Sequence, residues 1–215
     1  MNAVQRGRER PRNVRFTAKS SGCCPGFIDW AMSKSVFSLA RQENLFKGAL
    51  AGAVAGVLAA YLKALAEPPL QKVAEGIWPP TAAQKEMVGA DPTGHLDNMP
   101  PAVMVRAAAE ELADTTPSKK QTLALQQVIH YALGASLGAV YGALAEVAPG
   151  VTRGLGVPAG AVMYLLTHAT AVPATGFQRW PWQLPRAAVA WESGSHLVYG
   201  AGLETARGPI RKLLG

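Results

Sequence analysis

A small set of ionisable residues stands where an apolar chain does not ordinarily carry charge. Lys63 and Glu67 lie four residues apart at the end of the run LAGAVAGVLAAYLKALAE (Leu50–Glu67), and Glu192 and His196 lie four apart in AVAWESGSHLVYG. His130 and His168 each stand singly at an end of an Ala/Gly-rich stretch. A spacing of four puts two side chains on one helical face. Histidine titrates between about pH 5 and 8, and a neighbouring carboxylate holds its charge, so a proton-responsive or ligand-binding site is one chemistry for this set. A metal site is a second: His130, His168, His196 and Glu192 are ligand types that suit zinc or another first-row metal. No HExxH or other ligand-spaced motif supports it, which leaves His130, His196 and Glu192 as weak candidates. The third reading is polar glue, hydrogen bonds that fix helices together while Lys63 and Glu67 reach toward an interface.

The elements that must position these residues are membrane spans. The first, 46–66, is long enough to cross a bilayer at about 1.5 Å per residue. Gly48, Gly52 and Gly56 form a stripe that lets a neighbouring helix approach closely. Pro68 and Pro69 are expected to stop it. An extracytoplasmic loop follows at 67–121, in which Pro100–Asp114 (PPAVMVRAAAEELAD) has the proline start and apolar spacing of a short amphipathic helix. A second span at 122–147 carries Gly134, Gly138 and Gly142 as its own packing glycines, and Pro149-Gly150 turns the chain. Spans at 154–173 and 186–206 complete a four-span helical bundle, an all-α membrane fold. Trp180, Trp182 and Trp191 suit an interfacial aromatic belt. Gly194 reads as a packing site, and Tyr141, Tyr164 and Tyr199 as interhelical hydrogen-bond donors.

Composition agrees. The chain is 49% hydrophobic and only 16% charged, where soluble domains carry about a quarter charged residues. The net charge of +7 comes mostly from a basic arm at 1–45, expected to lack structure before about Ser35, so it describes that arm and not a nucleic-acid-binding face. Met32 reads as an alternative start, and an Arg-rich organelle transit peptide is an alternative for the arm. The adjacent Cys23 and Cys24 make neither a disulfide framework nor a zinc site. There is no phosphate loop, no GxGxxG after a strand and no nucleophile elbow. Hence no enzyme activity and no cofactor are expected.

Orientation follows from the basic residues. The arm and the tail at 207–215, with Arg207, Arg211 and Lys212, both lie on the cytoplasmic side if there are four spans, and the acid-rich loop faces out. Lys63, Glu67, His130, His168, Glu192 and His196 then all fall within about 15 Å of the outer surface. Side chains at one level in a bilayer are expected to meet, Lys63 with Glu67 or Glu192 and imidazoles bridging between helices. Glu146 and Glu204 fall at the cytoplasmic ends of their spans.

The stretch HYALGASLGAVYGALAEVAPGVTRGLGVPAG at His130–Gly160 resembles the YagU-like family of bacterial multi-pass inner-membrane proteins of unknown function. So do Lys63-xxx-Glu67-Pro68, the AVP at Ala171–Pro173 and the SHLVYG at Ser195–Gly200. The resemblance runs in order from about Lys47 to Leu214. It implies an inner-membrane location, with His130, Tyr141, Glu146 and the Glu192/His196 pair as recurrent polar positions. Some relatives carry an acidic residue near the position of His168.

The expected function is a solvent-accessible, pH-responsive polar cluster serving envelope or acid-stress physiology, with the lipid bilayer and further membrane proteins or a second copy as partners and no nucleic acid. The competing reading is a structural or assembly protein. A small transporter is weaker, because four spans without an inverted repeat need a dimer to build a pathway.

Overall fold

The computed structural model describes residues 26–88 and 91–215, with side chains described from Arg41 onward except at 87–90. Residues 1–25, most of the basic arm together with Cys23 and Cys24, lie outside the described residues. All secondary structure of any length among the described residues is helical. The long helices are α1 (Gly26–Ile77), α4 (Lys119–Val147) and α7 (Arg186–Leu213). Shorter ones are α2 (Ala82–Val88), α3 (Pro100–Ala113), α5 (Val157–Leu166) and α6 (Val172–Ala174).

Three segments are long and apolar enough to cross a membrane: Arg41–Ile77, Lys119–Val147 and Pro149–Ala174, with mean hydropathies of 1.8, 1.4 and 1.4. These are the helices of a membrane-embedded protein. α7 is not among them, because Glu192, Ser193, Ser195 and His196 interrupt its apolar run. Yet α7 buries Trp191, Glu192, Ser195, His196, Tyr199, Gly200 and Leu203, so its polar residues point inward. Exposed Leu50, Val54, Leu58, Leu62, Val140, Val162 and Leu165 cover the outside of the other helices.

Glycine contacts hold the long helices together. A Cβ added at Gly52 would collide with the carbonyl oxygen of Gly138, one at Gly56 with that of Gly134, and one at Gly142 with that of Gly48. The three pairs run in opposite chain directions, so α1 and α4 are antiparallel with their backbones in contact. A second seam joins α5 to α7: Cβ atoms at Gly156, Gly160 and Gly200 would each meet the facing backbone. Gly156 also needs to be glycine for its φ of 76°. Ser118 starts α4 with a capping box, its hydroxyl accepting from Gln121 N while Gln121 Oε1 accepts from Ser118 N at 2.9 Å.

Several expectations change here. α1 begins at Gly26, ahead of the expected start near Phe46; no proline follows Pro25 until Pro68, and helix formers dominate between them. Nor do Pro68 and Pro69 end α1, which continues to Ile77. Proline removes a donor and crowds the carbonyl four residues back, but packing on α7 through Ala74, Trp191 and Ala187 repays the extension. Trp191 is therefore buried and is no belt residue, whereas Trp180 and Trp182 stack with Trp182 exposed. Gly194 meets only Leu70 side-chain atoms at ordinary van der Waals distance, so it is not a tight packing point.

Beyond α1, Gln71 Nε2 donates to Asp91 Oδ1 at 2.8 Å, and Thr93 and Gly94 donate to the same oxygen. Asp91 is buried. Burial pushes its carboxyl up, but hydrogen bonds from Gln71, Thr93 and His95 outweigh that and hold it well below the usual carboxylate range.

Two outcomes follow from this packing. Gly52→Leu lowers the melting temperature of purified protein in detergent by an amount equivalent to at least about 3 kcal/mol, whereas Gly76→Ala, where a Cβ meets nothing within 4 Å, leaves it unchanged or raises it. Because the folded Asp91 pKa is depressed, its stabilising contribution is present above its unfolded value of about 3.9 and is lost as pH falls through the lower folded value. Asp91→Asn therefore lowers stability by about 1–2 kcal/mol at pH 7. The difference from wild type persists down to about pH 5 and shrinks only in stronger acid.

Candidate functional site

The two glycine seams converge on one polar cavity. One turn beyond the Gly56–Gly134 contact, His130 on α4 reaches across to α1, its Nε2 lying 3.2 Å from the Ala60 carbonyl oxygen. On α1 itself the Lys63 ammonium donates to the Glu67 carboxylate, and both residues are buried. An i, i+4 pair at a helix surface is worth little; this one is buried in the wall of a cavity.

His168 enters from a π-turn, Thr167–Ala171, between α5 and α6. Pro173 has no N–H for the Ala169 carbonyl, and Thr167 and Thr170 hydroxyls donate to carbonyls of the preceding turn, so the helix widens locally. Widening turns the imidazole toward α7. His168 Nδ1 lies 2.6 Å from Glu192 Oε1 and 2.9 Å from Gln178 Oε1, and Gln178 Nε2 donates to Glu192 Oε2 at 3.0 Å. Glu192 thus faces both an imidazole nitrogen and an amide donor, which supply the hydrogen bonds a buried carboxylate needs. One turn along α7, His196 Nδ1 donates to the Glu192 carbonyl at 2.8 Å, and its ring lies edge-on to His168 with centroids 4.9 Å apart.

All of the residues singled out from sequence (Lys63, Glu67, His130, His168, Glu192 and His196) line this cavity, which has a volume of about 80 Å³. Tyr199 completes one wall, its hydroxyl donating to the Gly134 carbonyl at 2.7 Å. Met99, Pro100 and Pro101, at the start of α3, form part of the rim. A space of this size holds several waters, given about 30 Å³ for each in the liquid. Among the described residues no group of three or more His, Cys, Asp or Glu side chains is placed to hold a metal ion. The Nδ1 of His196 faces its own backbone and that of His168 faces Glu192, so the ligand types are present without convergence.

Of the partners expected from sequence, the structure selects among alternatives. Lys63 pairs with Glu67 and not with Glu192, and only His130 and His168 bridge between helices. Gln178 joins the site without a sequence signal, as a glutamine in a short connection has none. Tyr141 and Tyr199 are interhelical donors, Tyr141 to Glu204 Oε2 at 2.9 Å, whereas the buried Tyr164 hydroxyl has no hydrogen-bond partner among the described residues and packs beside the imidazoles of His168 and His196.

Toward the chain termini a second polar layer closes the bundle. Arg207 forks onto Glu204 with both contacts at 2.8 Å, and Arg211 Nε reaches Glu146 Oε1 at 2.8 Å. Between the layers lie the buried Leu203, Met163 and Tyr141. From His196 to Arg207 the helix rises about 16 Å.

A family profile described as a protein of unknown function (DUF1440) matches residues 70–205, and the chain belongs to that family. The matched span contains His130, His168, Gln178, Glu192 and His196. No curated protein and no solved structure matches the chain.

If the His168–Glu192 pair acts as a buried unit, Glu192→Leu alone costs about 3 kcal/mol by leaving the imidazole and Gln178 without their acceptor. His168→Leu/Glu192→Leu recovers part of that loss. Thermal unfolding of the single and double variants in detergent measures the coupling; additive losses would show that the two side chains do not act together.

Proposed function

We propose that this DUF1440 member is a four-span protein of the bacterial inner membrane, with a hydrated, pH-responsive cavity in the outer half of its bundle. Convergence carries this reading: each of the ionisable residues picked out from sequence lines one cavity, and no four-span topology requires that. α7 is the fourth span, its low hydropathy explained by inward-facing polar residues, as in bundles whose ionisable side chains face a wet interior. Arg207, Arg211 and Lys212 at its end support a cytoplasmic position for both termini, with α3 and the Asp91 segment outside. The inner-membrane assignment and the YagU-like likeness rest on the sequence resemblance.

The groups that face one another across the cavity set its response. α1 contributes Lys63 and Glu67, α4 contributes His130, the π-turn contributes His168, and α7 contributes Glu192 and His196. Protons added to His130 or His196 place positive charge beside the Lys63 ammonium. Such a site senses protons or admits a small ligand from outside; envelope or acid-stress physiology is the setting in which that is useful. The buried Leu203, Met163 and Tyr141 between this cavity and the Glu204–Arg207 layer favour a site open to one side over a conducting path. Polar glue alone accounts for the Tyr199–Gly134 and His130–Ala60 bonds, but it does not require a cavity among them.

Melting of the purified protein between pH 8 and pH 5 tests the reading. Stability falls toward pH 5 in the wild type, and His130→Gln/His196→Gln flattens the curve. A wild-type curve already flat over that range contradicts a histidine response.

A further inference from the structure

α4 and α5 follow one another in the chain, yet each makes its closest contacts elsewhere. α4 gives its glycine face to α1, and the glycines at the start of α5 meet α7. Between α4 and α5 runs an apolar groove of about 350 Å³. Leu137, Val140 and Leu144 line it from one face of α4, and Pro158, Val162 and Leu166 from one face of α5. Val140 and Val162 are 60% and 51% exposed, so the groove opens sideways to lipid. From Leu137 to the end of α4 at Val147 the helix rises about 15 Å, half the thickness of a hydrocarbon core of about 30 Å. The groove is therefore as long as one leaflet is deep. Spread over that length, 350 Å³ gives a cross-section of about 23 Å², which suits one extended hydrocarbon chain and not a helix about 10 Å across.

The mouth of the groove specifies the head group. It lies at the turn between two consecutive spans, hence at a membrane surface, and Gly150, Val151 and Arg153 of that turn line it. The carboxylates nearby are already matched: Glu204 accepts from Arg207 and Tyr141, and Glu146 from Arg211. Arg153 is exposed and, among the described residues, forms no salt bridge. A guanidinium at a membrane surface binds phosphate through paired N–H groups, and basic sites between spans hold lipid head groups in this way. A zwitterionic head would set its ammonium beside the guanidinium, so a head of net negative charge fits better. We infer that the α4–α5 groove holds one acyl chain of an anionic glycerophospholipid, with the lipid phosphate on Arg153. The inference needs the chain to be embedded in a bilayer and does not depend on the polar cavity.

Native mass spectrometry of the full chain in detergent decides the matter, with phosphatidylglycerol, phosphatidylethanolamine and diacylglycerol of the same chain length as separate probes. One phosphatidylglycerol per chain is expected, with the other two bound at least fivefold more weakly. Arg153→Gln lowers phosphatidylglycerol binding at least fivefold, to the level of diacylglycerol, and leaves the melting temperature of the lipid-free protein unchanged. Val140→Trp and Val162→Trp, which fill the groove from the lipid side, each lower phosphatidylglycerol binding at least fivefold. Val128→Trp, on an exposed part of α4 outside the groove, does not. Should the groove variants fail to fold, a phosphatidylglycerol with a photoreactive group at mid-chain replaces them; in the wild type it labels peptides from Leu137 to Leu166, and in Arg153→Gln it does not. The inference is overturned if diacylglycerol binds as well as phosphatidylglycerol, if Arg153→Gln binds like wild type, or if labelling falls equally on α1. It is also overturned if the wild type is a dimer that Val140→Trp dissociates, since the groove is then covered by a second copy.

Discussion

Backbone contact between α1 and α4 is the constraint on which the structure depends. Gly48, Gly52 and Gly56 face Gly142, Gly138 and Gly134 so closely that no side chain fits between them. In a bilayer, helices gain little from the hydrophobic effect and associate through close packing and hydrogen bonds. The contact therefore fixes the register of α1 against α4, and that register sets His130 opposite Ala60 and next to Lys63. The α5–α7 seam at Gly156, Gly160 and Gly200 does the same for His168 against Glu192 and His196. A shift of one turn in either seam, about 5.4 Å, would separate the partners of the cavity.

Polarity is distributed inside out relative to a soluble protein. Leucine and valine cover the exterior of the apolar helices, while Lys63, Glu67, Gln71, Glu192, Ser195 and His196 are buried. Each charged member has an internal partner, as a low-dielectric interior demands. α7 shows the consequence most plainly: it carries more of the buried polar groups than any other helix, and its hydropathy is the lowest of the long helices. Low hydropathy in one helix and a polar core between several are the same fact.

Much of this was legible in the chain because membrane burial leaves strong marks. Charges in apolar runs identified the residues of the cavity, and glycine spacing identified the packing faces of α1 and α4, though not that they face each other. What remained hidden depended on tertiary context. Pro68 and Pro69 read as a stop, yet α1 passes through them because Ala74 finds Trp191 and Ala187 beyond. Trp191 itself read as an interfacial anchor, a role that sequence cannot separate from burial against a neighbouring helix. Gln178 and the π-turn at Thr167–Ala171 left no periodic trace, although together they aim His168 at Glu192. The choice of Glu67 as the partner of Lys63 is local and was open to inference; the choice of His168 for Glu192 needed the fold.

The central claim is that water reaches the cavity from the outer side and goes no further. In a Cys23→Ser/Cys24→Ser background, Thr167→Cys on the cavity wall and Leu203→Cys beneath it can be exposed in intact cells to a small, charged, membrane-impermeant methanethiosulfonate. The account predicts modification of Thr167→Cys from outside and protection of Leu203→Cys, which is fully buried. Protection of Thr167→Cys until the cells are opened, or equal reaction at both positions, would contradict it.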